Sequence, residues 1–164
     1  MEIFKCKQDY RIFQERIERY REKYPVNIHI YCLMPNHFHF LIQETDNGPF
    51  ISQFMQQLQN SYARFFALKY EHSGGLMQGK FRSRIILNEK HYNTVFKYIA
   101  ENPLKAGLVS QNNKWPYMST HLRGGSGDHR PYWSLPKKNH PHFDQSDHMP
   151  QSFYKSAFLA ATIR

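Results

Sequence analysis

The sequence predicts a single α+β domain in which helices pack against an antiparallel sheet. Three segments carry apolar residues at helical spacing, and two β-rich runs joined by a short turn lie between the first and the second. A chain of 164 residues can bury one core without disulfide support, and no internal repeat divides it. We therefore expect one main domain, residues 1–120, followed by a C-terminal extension, residues 121–164.

Three helices are predicted from apolar stripes and end signals. They cover about residues 8–23, 50–70 and 88–102, with Asn88 as the N-cap of the third. The third helix is expected to stop before Pro103, because the residue that precedes a proline is disfavoured in a helix. The stripes are Tyr10, Phe13, Ile17 and Tyr20; Ile51, Phe54, Leu58, Tyr62 and Phe65; and Tyr92, Val95, Phe96 and Ile99.

Strands are predicted in three places. Residues 26–33 and 37–43 are rich in β-formers and flank the turn signal Met-Pro-Asn, so they predict an antiparallel hairpin. Residues 80–87 alternate, which predicts a strand with one basic face. Residues 121–150 show no periodicity, and residues 152–163 are expected to form a last short helix.

Composition points to a soluble, basic, nucleic-acid-binding protein. The net charge is +9, the pI is about 9.6 and 16% of the residues are aromatic, which suits backbone phosphates and stacked bases. A solvated basic surface without a partner is the alternative. Cys6 and Cys32 lack zinc-finger spacing, and no apolar run is long enough to span a bilayer. We expect a cytoplasmic protein associated with the nucleoid and not with a membrane.

Two histidines on the second strand of the hairpin are candidate metal ligands. His37 and His39 are two residues apart, so in a strand they project from the same face. Two neutral imidazoles bind divalent transition metals, and they accept Mg²⁺ or Mn²⁺ when oxygen donors complete the shell. Packing or hydrogen-bonding histidines would give the same pattern, so this alternative stays open.

The third predicted helix supplies the remaining candidates. Tyr98 and Asn102 are four residues apart and share one helix face. The amide oxygen of Asn102 is a candidate third ligand, and Tyr98 would then sit one turn from the metal as a nucleophile. The alternative for Tyr98 is an amphipathic side chain at the margin of the core.

Four blocks of the sequence resemble one family in their order and spacing. MPNHFHFLI, SYARFF, GLMQGKFRSR and YIAENPLKAGLV are similar to the REP-associated tyrosine transposases, a branch of the single-tyrosine HUH transposases of the IS200-like type. The resemblance covers about residues 3–120 and implies a ferredoxin-like antiparallel sheet, the HUH endonuclease fold. It also implies that His37, His39 and Asn102 bind Mg²⁺ or Mn²⁺ and that Tyr98 is the nucleophile.

The same resemblance implies a DNA-processing reaction. The expected substrate is single-stranded DNA with palindromic hairpins, cleaved and rejoined through a 5′-phosphotyrosine. Related enzymes occur as homodimers and as monomers, and both remain open. Two other functions also remain open: a non-catalytic DNA-binding protein, and a nuclease that uses water. Charge and strand alternation make four side chains the candidate DNA contacts: Gln78, Lys80, Arg82 and Arg84.

The start of the chain departs from the family pattern. Family members open with an additional strand, whereas this chain begins at Met-Glu-Ile-Phe, which resembles the residues after that strand. The opening strand is internal in the implied sheet, so its neighbours would lose hydrogen-bond partners without it. We expect its place to be taken by upstream residues, a second subunit or another segment of the chain; a decayed copy is a further alternative.

Overall fold

The computed structural model describes residues 1–45, 47–77, 82–111, 114–122 and 158–163. Five strands form one antiparallel sheet in the order β3-β5-β2-β1-β4. The predicted α+β class is confirmed, and the arrangement is consistent with the implied transposase fold. The elements are α1 (Lys7–Lys23), β1 (Val26–Met34), β2 (His37–Glu44), α2 (Ile51–Tyr70), β3 (Arg82–Ile85), α3 (Glu89–Lys105), β4 (Met118–Leu122) and β5 (Phe158–Ile163).

Helices α1 and α2 cover one face of the sheet, and α3 covers the other. Phe13 of α1 and Tyr62 of α2 are fully buried in the core that they form with Phe38 and Phe40 of β2. On the opposite face, Tyr92 and Ile99 of α3 pack in a second core cluster. This second face carries the candidate site.

A β-bulge lets β1 serve both cores. The pairing of β1 with β2 shifts between Ile28 and Ile30, so His29 is the extra residue of the bulge. Ile28 packs in the α1/α2 core, whereas Ile30 and, two residues later, Cys32 pack in the α3 core. The bulge therefore places His29 beside Ile30 on the α3 face of the sheet.

Helix α2 begins at a carboxylate supplied by the preceding strand. The side chain of Glu44 accepts hydrogen bonds from the backbone N–H groups of Phe50 and Ile51, at 2.7 and 3.2 Å. These donors have no partner within a helix, so Glu44 acts as a cap from outside the helix. Burial raises the pKa of Glu44, although both hydrogen bonds oppose this effect. None of the described helices combines the length and apolar content needed to cross a bilayer.

The predicted end of α3 is wrong. The helix continues to Lys105 and contains Pro103, which is buried in its last turn. A proline lacks only its own N–H, so later residues can still close the helix: Ala106 N–H donates to the Asn102 carbonyl at 2.9 Å. The N-cap prediction is confirmed, since the side chain of Asn88 accepts from His91 N–H at 2.9 Å.

The predicted C-terminal helix is also wrong over residues 158–163, which form β5. Residues 152–157 lie outside the described part of the chain, as do residues 123–151. β5 is an internal strand that pairs with β2 on one side and with β3 on the other. Another segment of the chain thus lies beside the histidine strand, as one of the alternatives for the opening strand anticipated. The predicted boundary between the main domain and the C-terminal extension, at residue 120, falls within β4.

Candidate functional site

The two histidines lie side by side at the start of β2, on the face covered by α3. Their ring centroids are 4.8 Å apart with an interplanar angle of 82°. His39 is only 4% exposed, whereas His37 is half-buried at the end of the hairpin. Alternation along β2 explains the pairing, since Phe38 and Phe40 between and after them pack in the opposite core. The same-face prediction is confirmed.

The hairpin turn before His37 is held on two sides. Asn36 Oδ1 lies 2.6 Å from His37 Nδ1, so the amide oxygen accepts a hydrogen bond from Nδ1–H, and Nε2 carries the lone pair. The carbonyl of Pro35 accepts two backbone hydrogen bonds, from Ile3 and Phe4, at 2.8 and 3.0 Å. The N-terminal segment therefore fixes the turn that carries the first histidine.

Helix α3 brings Tyr98 to the histidines. The ring centroids of Tyr98 and His39 are 5.6 Å apart in an edge-to-face arrangement of 76°. Tyr98 is 48% exposed, so its hydroxyl remains accessible to a large substrate. One turn later, the Nδ2 atom of Asn102 donates to the Tyr98 carbonyl at 2.8 Å. That bond uses the amide nitrogen and leaves the amide oxygen for another role.

Cations flank the tyrosine on the same helix. Lys105 Nζ lies 5.8 Å from the centroid of the Tyr98 ring and 3.0 Å from a carboxylate oxygen of Glu101. Lys97 reaches the other Glu101 oxygen at 3.8 Å. The hydrogen bond from Lys105 lowers the pKa of Glu101, so this carboxylate stays ionised and balances one of two lysines. The sequence analysis missed Lys105, although its position seven residues after Tyr98 places it on the same face.

The register of the sheet aligns β3 with the histidine strand. Arg82 pairs with Thr162 of β5, and Thr162 pairs with His39. Residues paired directly across strands project to the same face, so Arg82 shares the face of His39 at about 10 Å, two strand spacings. Arg84 lies on this face two residues along, and both arginines are exposed. The other two candidates for DNA contact, Gln78 and Lys80, lie outside the described residues.

A third histidine, His29, which was not predicted from the sequence, connects α3 to the sheet. His29 Nδ1 lies 3.0 Å from the hydroxyl of Tyr92, and His29 Nε2 lies 3.0 Å from Gln43 Oε1. Gln43 accepts from Nε2–H, so Nδ1 accepts from the tyrosine. Tyr92 is 1% exposed and Gln43 8% exposed, whereas His29 between them is partly buried. Alternation after Val26 and Ile28, which face the α1/α2 core, puts His29 on the α3 side, but its two partners lie on other elements and leave no local signal in the sequence.

A metal at this site would need ligands other than His, Cys, Asp and Glu side chains to complete its shell. Among the described residues, no three His, Cys, Asp or Glu side chains cluster in a way that could hold an ion. The two imidazoles therefore need donors of another type, such as the Asn102 amide oxygen, water or a phosphate oxygen. Cys32, which pairs with His39 on β1, is buried, and burial raises the pKa of its thiol to about 12.

Comparison with known proteins gives consistent matches. The family described as "Transposase IS200 like" matches residues 2–102, a segment that contains both histidines, Tyr98 and Asn102. A protein of Haemophilus influenzae with the provisional name REP-associated tyrosine transposase is 32% identical over 119 residues, 66% of this chain and 67% of that protein. A REP-associated tyrosine transposase of Escherichia coli is 24% identical over 112 residues, 68% of this chain and 65% of that protein. No solved structure matches the chain significantly.

Proposed function

Because the chain belongs to the IS200-like transposase family, we propose that it cleaves and rejoins single-stranded DNA with Tyr98 as the nucleophile. The observation that carries the proposal is the contact between the Tyr98 ring and His39, which joins α3 to the histidine strand. Half-exposure alone also fits a tyrosine at the core margin, so the proposal depends on the ring contact with His39, one of two same-face histidines. The substrate we propose is DNA that carries palindromic hairpins.

The donor set fits a divalent ion held by His37, His39 and Asn102. The hydrogen bond from His37 to Asn36 points the lone pair of Nε2 away from the turn, as a ligand requires. Two imidazole nitrogens and one amide oxygen suit Mn²⁺, and they suit Mg²⁺ when water and phosphate oxygens complete the shell. When bound, such an ion polarises the scissile phosphate and offsets the charge that develops on it.

The residues of the chain perform the covalent steps. The Tyr98 oxygen attacks the phosphorus, its proton passes to solvent at this half-exposed position, the bond to the 3′-oxygen breaks, and that oxygen takes a proton from solvent. The products are a 5′-phosphotyrosine and a free 3′-hydroxyl. One phosphoester bond replaces another, so a second 3′-hydroxyl can attack the phosphotyrosine and rejoin the strand. Lys105, Arg82 and Arg84 are placed to bind phosphates on this face of the protein.

The test is a covalent adduct. Protein, Mn²⁺ or Mg²⁺ and a panel of hairpin-bearing oligonucleotides labelled on the 3′ side of the cut are incubated and resolved under denaturing conditions. We expect a protein–DNA adduct with the unchanged chain and with Tyr24→Phe, a tyrosine next to Phe50 and remote from α3. Tyr98→Phe should form none.

Two outcomes would favour the competing functions. DNA binding without any cleavage by the unchanged chain would indicate a non-catalytic DNA-binding protein. Cleavage that survives Tyr98→Phe would indicate hydrolysis by water, with Tyr98 in a structural role.

A further inference from the structure

A basic groove runs between α1 and α2, on the outer surface of these helices. It consists of two adjoining concavities of about 550 and 460 Å³, which share Arg19 and Tyr20 as lining residues. Three of the lining residues of α2, Gln57, Ser61 and Arg64, follow one another at helical spacing on one face. The α1 side adds Arg16 and Lys23 at the same kind of spacing.

The groove lies across the sheet from the candidate active site. Phe13 and Ile17 of α1 and Leu58 and Tyr62 of α2 are fully buried toward the sheet, so the groove residues face outward. Helix α3 and the two histidines occupy the other face of the sheet. A DNA strand in the groove would therefore lie away from the bond that Tyr98 attacks.

Positive charge predominates in the groove and is not neutralised within it. Arg16, Arg19, Lys23 and Arg64 form no salt bridge with any described residue. Two carboxylates, Glu15 and Glu22, also line the groove. Glu15 already accepts a hydrogen bond from Arg11 Nε at 2.9 Å. Because Arg11 does not line the groove, it balances part of the Glu15 charge without using a groove cation.

Two of the guanidinium groups lie over aromatic rings. Arg16 lies 5.2 Å from the centroid of Phe65, and Arg19 lies 5.9 Å from that of Tyr20. Arg16 is half-buried and burial lowers its pKa, whereas Arg19 is exposed. Guanidinium groups match the planar, bidentate geometry of phosphate oxygens.

We propose that this groove binds the backbone phosphates of DNA at a distance from the cleaved bond. The inference rests on the proposed function, because it assigns the groove to the same substrate. A long substrate would contact both faces of the protein, with Tyr98 acting on one segment and the groove holding another. The phosphates could belong to an unpaired flank or to a hairpin stem, and both carry the chemistry that the groove recognises.

The experiment measures the salt dependence of DNA binding for matched charge variants. Arg19→Ala with Arg64→Ala removes two exposed groove cations, and Lys7→Ala with Lys114→Ala removes two exposed cations elsewhere. Tyr98→Phe is present in all proteins, so that cleavage does not interfere. Binding of an unstructured oligonucleotide and of a stable hairpin is measured from 50 to 300 mM salt, and melting curves verify that every variant folds.

We expect the groove variant to bind DNA about tenfold more weakly at 150 mM salt than the control variant. Losing two phosphate contacts should reduce the slope of log K against log salt by about 1.4 for single-stranded DNA or about 1.8 for the hairpin stem. A change confined to the hairpin assigns the stem to the groove, and a change confined to the unstructured strand assigns the flank.

Equal slopes for groove and control variants with both DNA forms would overturn the inference. So would a groove-dependent affinity for poly-glutamate that exceeds the affinity for DNA, since it would indicate an acidic protein partner. The adduct assay separates this failure from that of the proposed function. If the chain with Tyr98 intact forms the phosphotyrosine but the slopes are equal, only the groove assignment fails.

Discussion

At the residue scale, Asn36 determines which nitrogen of His37 carries the lone pair that the proposed metal site requires. Its amide oxygen accepts from Nδ1 at 2.6 Å and so keeps the lone pair on Nε2. Removing the hydrogen-bond partner of a metal-binding histidine typically weakens metal affinity about 10- to 100-fold. We therefore expect Asn36→Ala to weaken Mn²⁺ binding by about 10- to 100-fold, measured by electron paramagnetic resonance of free Mn²⁺.

The matched control for this prediction is Asn60→Ala, an exposed asparagine of α2 on the opposite side of the sheet. It should leave Mn²⁺ binding unchanged. An Asn36→Ala variant that binds Mn²⁺ as tightly as the control would show that the tautomer of His37 is set by something else. Weak binding by both proteins and by the unchanged chain would contradict the metal site itself.

Some residues of the site were predictable because local patterns place them. His37 and His39 share a face in any strand, and Tyr98 and Asn102 share a face in any helix. What the sequence could not give was the distance between the strand and the helix, because it depends on how α3 packs on the sheet. His29 was missed for the same reason, since its two partners lie on other elements and leave no local signal in the sequence.

At the scale of single elements, the position of α3 depends on a partly buried hydrogen bond. Tyr92 donates a hydrogen bond to His29 at 3.0 Å, six residues before Tyr98 on the same helix. We expect Tyr92→Phe to lower the rate of DNA cleavage about tenfold, because a small displacement of α3 moves Tyr98 relative to the phosphate. DNA affinity should change little. The measurement is single-turnover adduct formation at saturating protein.

Tyr31→Phe serves as the matched control. It also removes one buried hydroxyl, which accepts a hydrogen bond from Gln14 of α1 at 3.0 Å on the other side of the sheet. Both variants should lose about 1 kcal/mol of stability or somewhat more. If both slow cleavage equally, the effect of Tyr92 is a general loss of stability and not positioning.

The contact between α1 and α2 depends on a carboxylate that water does not reach. Asp9 is fully buried and accepts from Lys69 Nζ at 2.7 Å and from the Tyr70 hydroxyl at 2.8 Å. It also accepts from the backbone N–H groups of Lys5 and Cys6. Burial alone raises the pKa of Asp9, but these hydrogen bonds outweigh it and lower the pKa below its ordinary value.

We expect Asp9→Asn to lower the free energy of unfolding at pH 7 by about 1 to 3 kcal/mol. The folded pKa is depressed, so the contribution of Asp9 is complete above the unfolded pKa, about 3.9. It is lost as the pH falls through the folded pKa, and the two proteins should converge there. Urea unfolding at pH 7, 4 and 2.5 measures this. Glu15→Gln, an exposed change on the same helix, should stay within about 0.5 kcal/mol throughout.

Two elements show where sequence patterns were insufficient. Helix α3 passes Pro103 because the proline lies in the last turn, where few hydrogen bonds are lost. Residues 158–163, Phe-Leu-Ala-Ala-Thr-Ile, form a short apolar run that is compatible with either a helix or a strand. These residues form a strand because they pair with β2 and β3, which lie more than 70 positions earlier in the sequence.

At the scale of the whole molecule, β5, the last described strand, makes the histidine strand β2 an internal strand of the sheet. β5 pairs with six residues of β2, from Phe38 to Gln43, including His39. Without β5, one edge of β2 would present unpaired N–H and C=O groups beside the candidate site. The integrity of the site thus depends on a strand that is remote in sequence.

We expect Ala161→Pro to abolish this pairing and the site with it. Ala161 is central in an internal strand, where proline cannot donate to the ladder. Hydrogen exchange of the β2 amides should become fast, whereas Ser73→Pro, in the exposed connector between α2 and β3, should leave them protected. Mn²⁺ binding should be lost with the protection, because His39 would no longer be held on an internal strand. Slow hydrogen exchange of the Phe38–Gln43 amides in Ala161→Pro would show that β5 does not pair with β2 in solution. The prediction that the site depends on this strand would then be wrong.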